Sequence, residues 1–216
     1  MTFSIFTDHL FIVVAAITLA VVIGIPLGIC CYLYPKARKV ILWIVDVLQT
    51  IPALALLGII MVFAGAGKQT VIIGIALYSL LPIVQNTNLG LVQVDDGVKE
   101  AARGMGMGRF YRLLHVELPL AFPVLFTGLR IATVNAVGSA VFAAFVGGGG
   151  IGKVIYQAIR VENMGLLLRG TLTLMVIAVG LDLIMGFLEG RLKSGATGRG
   201  RTKAQKRFRK EMKQGS

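Results

Sequence analysis

Long stretches without charge constrain this chain more than any other feature. Residues 10–33 contain no Asp, Glu, Lys or Arg, and a helix of that length is about 36 Å long, enough to cross a bilayer. Comparable stretches, broken by no more than two charges each, occupy residues 40–64, 70–91, 122–146 and 168–188. The sequence therefore predicts an all-α membrane protein with five transmembrane helices.

Composition supports this reading and excludes soluble classes. Hydrophobic residues make up 56% of the 216 residues, charged residues only 15%, and the mean hydropathy is +0.82. A soluble domain carries about 25% charged residues, so a cytosolic enzyme, a coiled coil and a disordered chain are excluded.

The net charge of +12 is concentrated in a tail, because ten of the 22 Lys and Arg residues lie within residues 191–216. The last part, residues 194–216, is predicted to be disordered. Its charge is explained by membrane topology and anionic lipid, which removes the argument for nucleic-acid binding. A role in sensing ionic strength is an alternative to simple anchoring.

Basic residues also predict the orientation. Lys and Arg cluster after the first, third and fifth stretches and are sparse in the other connections. Because positively charged loops remain in the cytoplasm, the N-terminus is expected outside and the C-terminus inside.

The connection formed by residues 92–121 has its own pattern. A short helical stretch, Lys99–Arg103, precedes a glycine-rich turn, and a second short helix carries Phe110, Leu113 and Leu114 on one face. Leu118–Pro119 is expected to end that helix. This predicts a cytoplasmic two-helix hairpin whose apolar face lies on anionic lipid or docks in a groove of a partner protein.

The same segment resembles the EAA loop of binding-protein-dependent ABC importer permeases, whose pattern is E-A-A-x-x-x-G-x9-I-x-L-P. Here Glu100-Ala101-Ala102, Gly106 and Val116-Glu117-Leu118-Pro119 match it, with Val116 in place of Ile. The resemblance implies a coupling helix that fits a cleft of the ATP-hydrolysing subunit. The residues implied in coupling are Glu100, Ala101, Ala102, Gly104, Gly106, Phe110, Leu113, Leu114 and Pro119. The leucines and Phe110 would be the buried anchor, Glu100 would hold the hairpin by hydrogen bonds, and Gly106 would form the turn.

Three further segments, at residues 49–55, 78–83 and 145–152, are similar to permeases for glycine betaine, carnitine, choline and proline betaine. The resemblance implies a type I ABC importer permease fold in the plasma membrane of a prokaryote. It also implies an alternating-access mechanism with an ATP-binding subunit, a second identical or homologous permease chain, a substrate-binding protein outside, and contact with lipid. No cofactor is expected on this chain, because ATP and Mg²⁺ belong to the partner. Methionine or a sulfonate is an alternative substrate, and a self-contained channel is an alternative of another class.

Uncharged polar residues in the spans are candidates for the translocation path, although the same residue types also join helices. They are Gln49, Thr50, Pro52, Ser79, Asn135 and Ser139. The glycine-rich outer loop, with Gly147, Gly149, Gly152 and Lys153, is expected to face the binding protein. Because aromatic residues do not cluster in any one span, tight recognition of a quaternary ammonium is expected in that protein instead.

Charged residues within the spans suggest an internal ion pair of Arg130 with Asp46 or with Asp182, and the sequence does not choose between them. Enzyme signatures such as His-Glu-x-x-His and Gly-x-Ser-x-Gly are absent from the sequence, and only two histidines occur. The chain is therefore not expected to be an enzyme.

Overall fold

A computed structural model of the protein describes the backbone of residues 3–214 and the side chains of residues 3–192. Within this part every regular element is helical, which confirms the all-α prediction. The helices are α1 (Phe3–Leu33), α2 (Pro35–Thr50), α3 (Ala53–Ala64), α4 (Lys68–Val92), α5 (Asp96–Gly104), α6 (Arg109–Arg112), α7 (Leu118–Ser139), α8 (Ile151–Arg160) and α9 (Met164–Gln214). A π turn (Leu113–Glu117) joins α6 to α7, and a 3₁₀ segment (Ala140–Val146) continues α7. The disorder predicted for residues 194–216 stays a prediction, and the side chains of these residues lie outside the described part.

Helix α4 lies at the centre, packed against α1 on one side and α7 on the other. A Cβ on Gly28 would come within 2.4 Å of Thr87 Cβ, and one on Gly128 would come within 2.5 Å of the Pro82 carbonyl oxygen. Only glycine permits such close approach of backbones within a membrane. Glycine at these two positions therefore lets α1 and α7 pack closely against α4.

Four helical segments of the described chain are long and apolar enough to cross a membrane: Phe3–Leu33, Lys68–Val92, Arg109–Val146 and Met164–Leu192. The single helix predicted over residues 40–64 is wrong, because α2 and α3 meet at an angle of 101°. Ile51 between them is extended, with φ −73° and ψ 127°. The following Pro52 disfavours helical geometry at Ile51, so the chain breaks there. Counting the bent pair as one span gives five.

The helix end predicted at Leu118–Pro119 is also wrong. The chain stays helical from Arg109 to Val146, because the π turn carries it past the proline. The Leu118 amide donates to the Leu113 carbonyl, and Pro119 occupies the first turn of α7, where a missing N–H is tolerated. The second arm of the hairpin is thus rigidly continuous with a membrane span.

Helix α9 lies at the periphery, where many of its apolar side chains between Leu168 and Phe187 are more than half exposed. An ionic network connects it to α7. The Arg130 guanidinium donates from Nε and Nη2 to both Asp182 carboxylate oxygens at 2.7 and 2.8 Å, and from Nη1 to Glu189 at 3.0 Å. Gly186 leaves the space, since a Cβ there would lie 3.0 Å from Arg130 Cζ. The sequence left open whether Arg130 pairs with Asp46 or with Asp182, and in the structure it pairs with Asp182.

Candidate functional site

The first arm of the hairpin is α5, and its beginning is fixed by Asp95. The Asp95 carboxylate accepts a hydrogen bond from the Val98 amide at 3.1 Å, which satisfies one free N–H of the first turn. Asp96 lies in the first turn and Arg103 in the last, so both charges complement the helix dipole. Strong capping makes this short helix stable without deep burial.

Gly106 forms the turn between the arms, as expected. Its φ is +79°, and its amide donates to Arg103 O at 2.9 Å while the Met107 amide donates to Ala102 O at 3.2 Å. This pair of bonds is a Schellman motif, in which the left-handed position is almost always glycine. Backbone geometry therefore explains the glycine of the motif.

Ionic and hydrogen-bond contacts anchor the second arm to the membrane domain. Arg112 Nε donates to Glu117 Oε1 at 2.6 Å, and the two side chains are 11% and 1% exposed. Arg109 Nη2 donates to the carbonyl oxygen of Leu33, the last residue of α1, at 2.7 Å. The Glu117 carboxylate also interacts with the Tyr32 hydroxyl of α1. The hairpin is thus fastened to α1 as well as to α7.

Two assignments in the hairpin are wrong. Leu113 is 2% exposed and packs inside the chain with Leu91, Ala121 and Leu125, so it is not part of a docking face. Glu100 is exposed and its side chain makes no hydrogen bond with the described residues. The hairpin is held by Asp95, Arg109 and Arg112 instead.

The remaining coupling residues take different places. Phe110 is 69% and Leu114 41% exposed. Within α5, Ala101 is exposed, Ala102 is buried and Gly104 is the last residue, whereas Pro119 lies in α7. Met105 (69% exposed) and Tyr111 (55%) join Phe110 and Leu114, although the sequence did not single them out. We call the exposed side chains of Met105, Phe110, Tyr111 and Leu114 the hairpin tip.

A second feature is a polar cleft of about 360 Å³ between α2, α4 and α7. Four of the six path candidates line it, namely Gln49, Ser79, Asn135 and Ser139. Tyr78, Pro82 and Phe142 line it as well. The sequence did not single out Tyr78 and Phe142 because they lie on different helices, and their proximity follows only from packing.

The Gln49 side chain is fixed in the cleft wall by a hydrogen bond that the presence of Pro82 makes available. The Tyr78 carbonyl would normally accept a hydrogen bond from residue 82, but proline has no N–H. The Gln49 side-chain amide donates to that carbonyl instead, at 2.6 Å. Asn86 likewise donates to the Pro82 carbonyl, at 2.8 Å.

Thr50 and Pro52 do not line the cleft. They lie at the bend between α2 and α3, where the Thr50 hydroxyl donates to the Val47 carbonyl at 2.7 Å and Pro52 precedes the first turn of α3. Their part is to shape the broken span.

At the other end of α7 a cleft of about 480 Å³ is lined by Gly147, Gly149 and Lys153, together with Tyr156 and Arg160. We call it the outer cleft, after the orientation that the sequence predicts. Gly152, expected to face outward, is buried instead. A Cβ there would lie 2.1 Å from the Val141 carbonyl oxygen, so this glycine lets α8 pack against the 3₁₀ segment. Among the described residues that line the outer cleft, the charged ones are Lys153 and Arg160, and both are basic.

Comparison with known proteins identifies the family of the chain. The family model described as binding-protein-dependent transport system inner membrane component matches residues 6–194. The chain is 40% identical over 188 residues to the glycine betaine/carnitine/choline transport system permease protein OpuCD of Bacillus subtilis, covering 87% of this chain and 82% of the relative. It is 39% identical to the choline transport system permease protein OpuBD of the same organism, with coverage of 87% and 83%.

Solved structures resemble the fold as well. A permease chain in an inward-facing structure of the MetNI methionine ABC transporter superposes with a TM-score of 0.75 at 25% identity, covering 88% of this chain and 93% of that one. A chain of an amino acid ABC transporter superposes with a TM-score of 0.73 at 17% identity, covering 87% and 92%. The second likeness bears on the fold alone.

Proposed function

The chain belongs to the family of binding-protein-dependent transport system inner membrane components, and we propose that it is the permease subunit of an ATP-driven importer for a quaternary-ammonium osmolyte such as glycine betaine, carnitine, choline or proline betaine. It is a multi-pass membrane protein and not an enzyme. A partner subunit binds ATP and Mg²⁺ and hydrolyses ATP, while this chain provides part of the pathway. Identities of 40% and 39% to permeases named for these solutes support the substrate class.

The hairpin tip is the observation that carries the mechanism. It exposes apolar side chains, Phe110 at 69% and Leu114 at 41%, on a support fastened to α1 and continuous with α7. An apolar tip on a rigid support transmits the movement of a bound partner to the spans. Closure of the ATP-binding subunits on ATP would thus pull the permease toward an outward-open state, and hydrolysis would reset it.

A second permease chain completes the pathway. In the single chain Gln49 and Asn135 are exposed at the cleft, so one chain lines only part of a channel. A second copy or a homologous chain opposite the cleft would enclose it. Lipid covers the exposed apolar side of α9.

The outer cleft is the proposed contact for the substrate-binding protein. Lys153 and Arg160 give it positive charge beside Tyr156, which suits an acidic surface on the partner. In this proposal α8 lies outside and the hairpin lies in the cytoplasm, in the plasma membrane of a prokaryote, with the N-terminus outside.

Photo-crosslinking tests the coupling role directly. A benzophenone amino acid in place of Phe110 should crosslink to the ATP-binding subunit in the assembled complex. The same replacement of Phe3, which is 79% exposed at the far end of α1, is the matched control and should not. Crosslinks from position 110 to lipid alone would refute the coupling role.

Uptake measurements test the substrate class. Vesicles containing the complex, its binding protein and internal ATP should accumulate labelled glycine betaine, carnitine or choline. Accumulation of methionine or a sulfonate instead would favour the alternative importer, for which the likeness to the methionine transporter is the supporting observation. A self-contained channel would pass solute without ATP, and loss of Phe110 and Leu114 would not affect it.

A further inference from the structure

The polar cleft contains two kinds of group that a zwitterionic solute needs. Two aromatic residues, Tyr78 and Phe142, line it, and both also border the small adjoining cavity with Ser139. Asn135, Ser139 and Gln49 present amide and hydroxyl donors. No Asp, Glu, Lys or Arg is among the described residues that line it. Asp46 lies one turn before Gln49 in α2, outside the lining, and is approached by the Gln85 amide at 3.4 Å.

The three donors differ in whether they already form hydrogen bonds within the chain. The Gln49 amide is used by the Tyr78 carbonyl at 2.6 Å. Asn135 is exposed in the cleft, and neither it nor Ser139 makes a side-chain hydrogen bond with the described residues. Being four residues apart in one helix, they lie on the same face. These two side chains are therefore free to donate to a ligand.

The rings and the free donors follow one another along that face. Phe142 comes three residues after Ser139, in the 3₁₀ segment that continues α7, and Tyr78 lines the same cleft from α4. Aromatic faces attract quaternary ammonium groups, which cannot donate hydrogen bonds. Amide and hydroxyl donors suit a carboxylate, because hydrogen bonds to a charged acceptor are the stronger ones.

We propose that this cleft is a transit subsite for the zwitterion, with the quaternary ammonium against the rings of Tyr78 and Phe142 and the carboxylate at the side chains of Asn135 and Ser139. The inference rests on the proposed function and deepens it, since it adds an orientation and a selectivity to the pathway. Uncharged donors hold the carboxylate weakly enough for release into the cytoplasm. An arginine at the same place would hold it tightly.

Uptake of labelled glycine betaine by the complete complex in vesicles tests the ring contacts. Phe142→Leu should lower the uptake rate about threefold to thirtyfold, the range expected when a cation–π contact is lost. Phe145→Leu is the matched control, because Phe145 is a neighbouring aromatic that lies outside the cleft lining, and it should retain uptake.

The orientation is tested at a single position. Asn135→Leu removes the donor and should lower uptake about tenfold, whereas Asn135→Asp opposes the solute's carboxylate with a like charge and should lower uptake further. If Asn135→Asp transported as well as or better than Asn135→Leu, the orientation would be reversed and the proposal overturned. Equal effects of Phe142→Leu and Phe145→Leu would also overturn it. Complex yield and basal ATP hydrolysis report whether each variant is assembled.

These outcomes are separable from failure of the proposed function. If the wild-type complex accumulates no quaternary-ammonium solute, the function itself is refuted and the subsite falls with it. If wild-type uptake is normal and the variants do not differ from their controls, only the subsite is refuted.

Discussion

The hairpin and the polar cleft differ in how far their polar side chains are engaged within the chain. In the hairpin nearly every anchoring polar group is engaged: Arg112 with Glu117 at 2.6 Å, Arg109 with Leu33 at 2.7 Å, and Asp95 with Val98 at 3.1 Å. In the cleft, Asn135 and Ser139 are left free. A segment that transmits force must keep its contacts under load, whereas residues that line a pathway must form and break contacts with each solute molecule.

The contrast predicts where substitutions act. Changes to the hairpin anchors should lower stability, changes to the hairpin tip should lower coupling at unchanged stability, and changes to the cleft wall should have small effects on folding. The four experiments below test this division, beginning with the largest expected effect.

Removing one partner of the buried pair in the hairpin should cost most. Glu117→Ala leaves the Arg112 guanidinium, 11% exposed, without its carboxylate, and such a loss costs about 3–5 kcal/mol. The unfolding free energy in mixed micelles measures it. Asp8→Ala is the control, since Asp8 pairs with Lys68 at the same 2.6 Å but with side chains 39% and 45% exposed, where loss costs about 0–1 kcal/mol. Equal costs would show that burial does not distinguish the two pairs.

Truncating the hairpin tip should uncouple the complex without unfolding it. Phe110→Ser removes an exposed ring that contributes nothing to the chain's own core, so the unfolding midpoint should stay constant. ATP-dependent uptake should fall about tenfold to hundredfold, as at a binding hot spot. Phe3→Ser, at a residue 79% exposed on the opposite side, should leave both unchanged. A parallel loss of stability would mean that Phe110 is structural.

Sequence reasoning located these two regions but not their internal roles. The spacing from Glu100 to Pro119 identified the hairpin, and Gly106 has the left-handed φ of +79° that a turn requires. Which of Phe110, Leu113 and Leu114 faces inward was not decidable, because the π turn rotates the helix face between them. Tyr78 and Phe142 were missed because contacts between helices leave no local pattern in the sequence. Gly152 was misassigned because its close approach to the Val141 carbonyl depends on how two segments pack, which the sequence of one segment does not show.

The turn itself should respond to a single methyl group. Gly106→Ala places a Cβ on a residue with φ +79°, where no atom lies within 4 Å, so the cost of about 1 kcal/mol is purely conformational. Gly104→Ala is a matched control, because it has equally open surroundings but ends a helix, where alanine is favoured. Uptake and unfolding should weaken only for Gly106→Ala. Comparable losses at both positions would point to a steric effect of a partner.

The smallest expected effect lies in the cleft wall, and a double-mutant cycle isolates it. Gln49→Leu removes the donor to the Tyr78 carbonyl, at a cost of about 0.5–1 kcal/mol. In a Pro82→Ala background residue 82 regains an N–H that can serve the same carbonyl, so Gln49→Leu should then cost less. The difference between the two costs is the coupling of Gln49 to the proline. A coupling energy of zero would mean that the hydrogen bond from Gln49 to the Tyr78 carbonyl does not depend on Pro82. Gln49 would then count with Asn135 among the donors available to the solute.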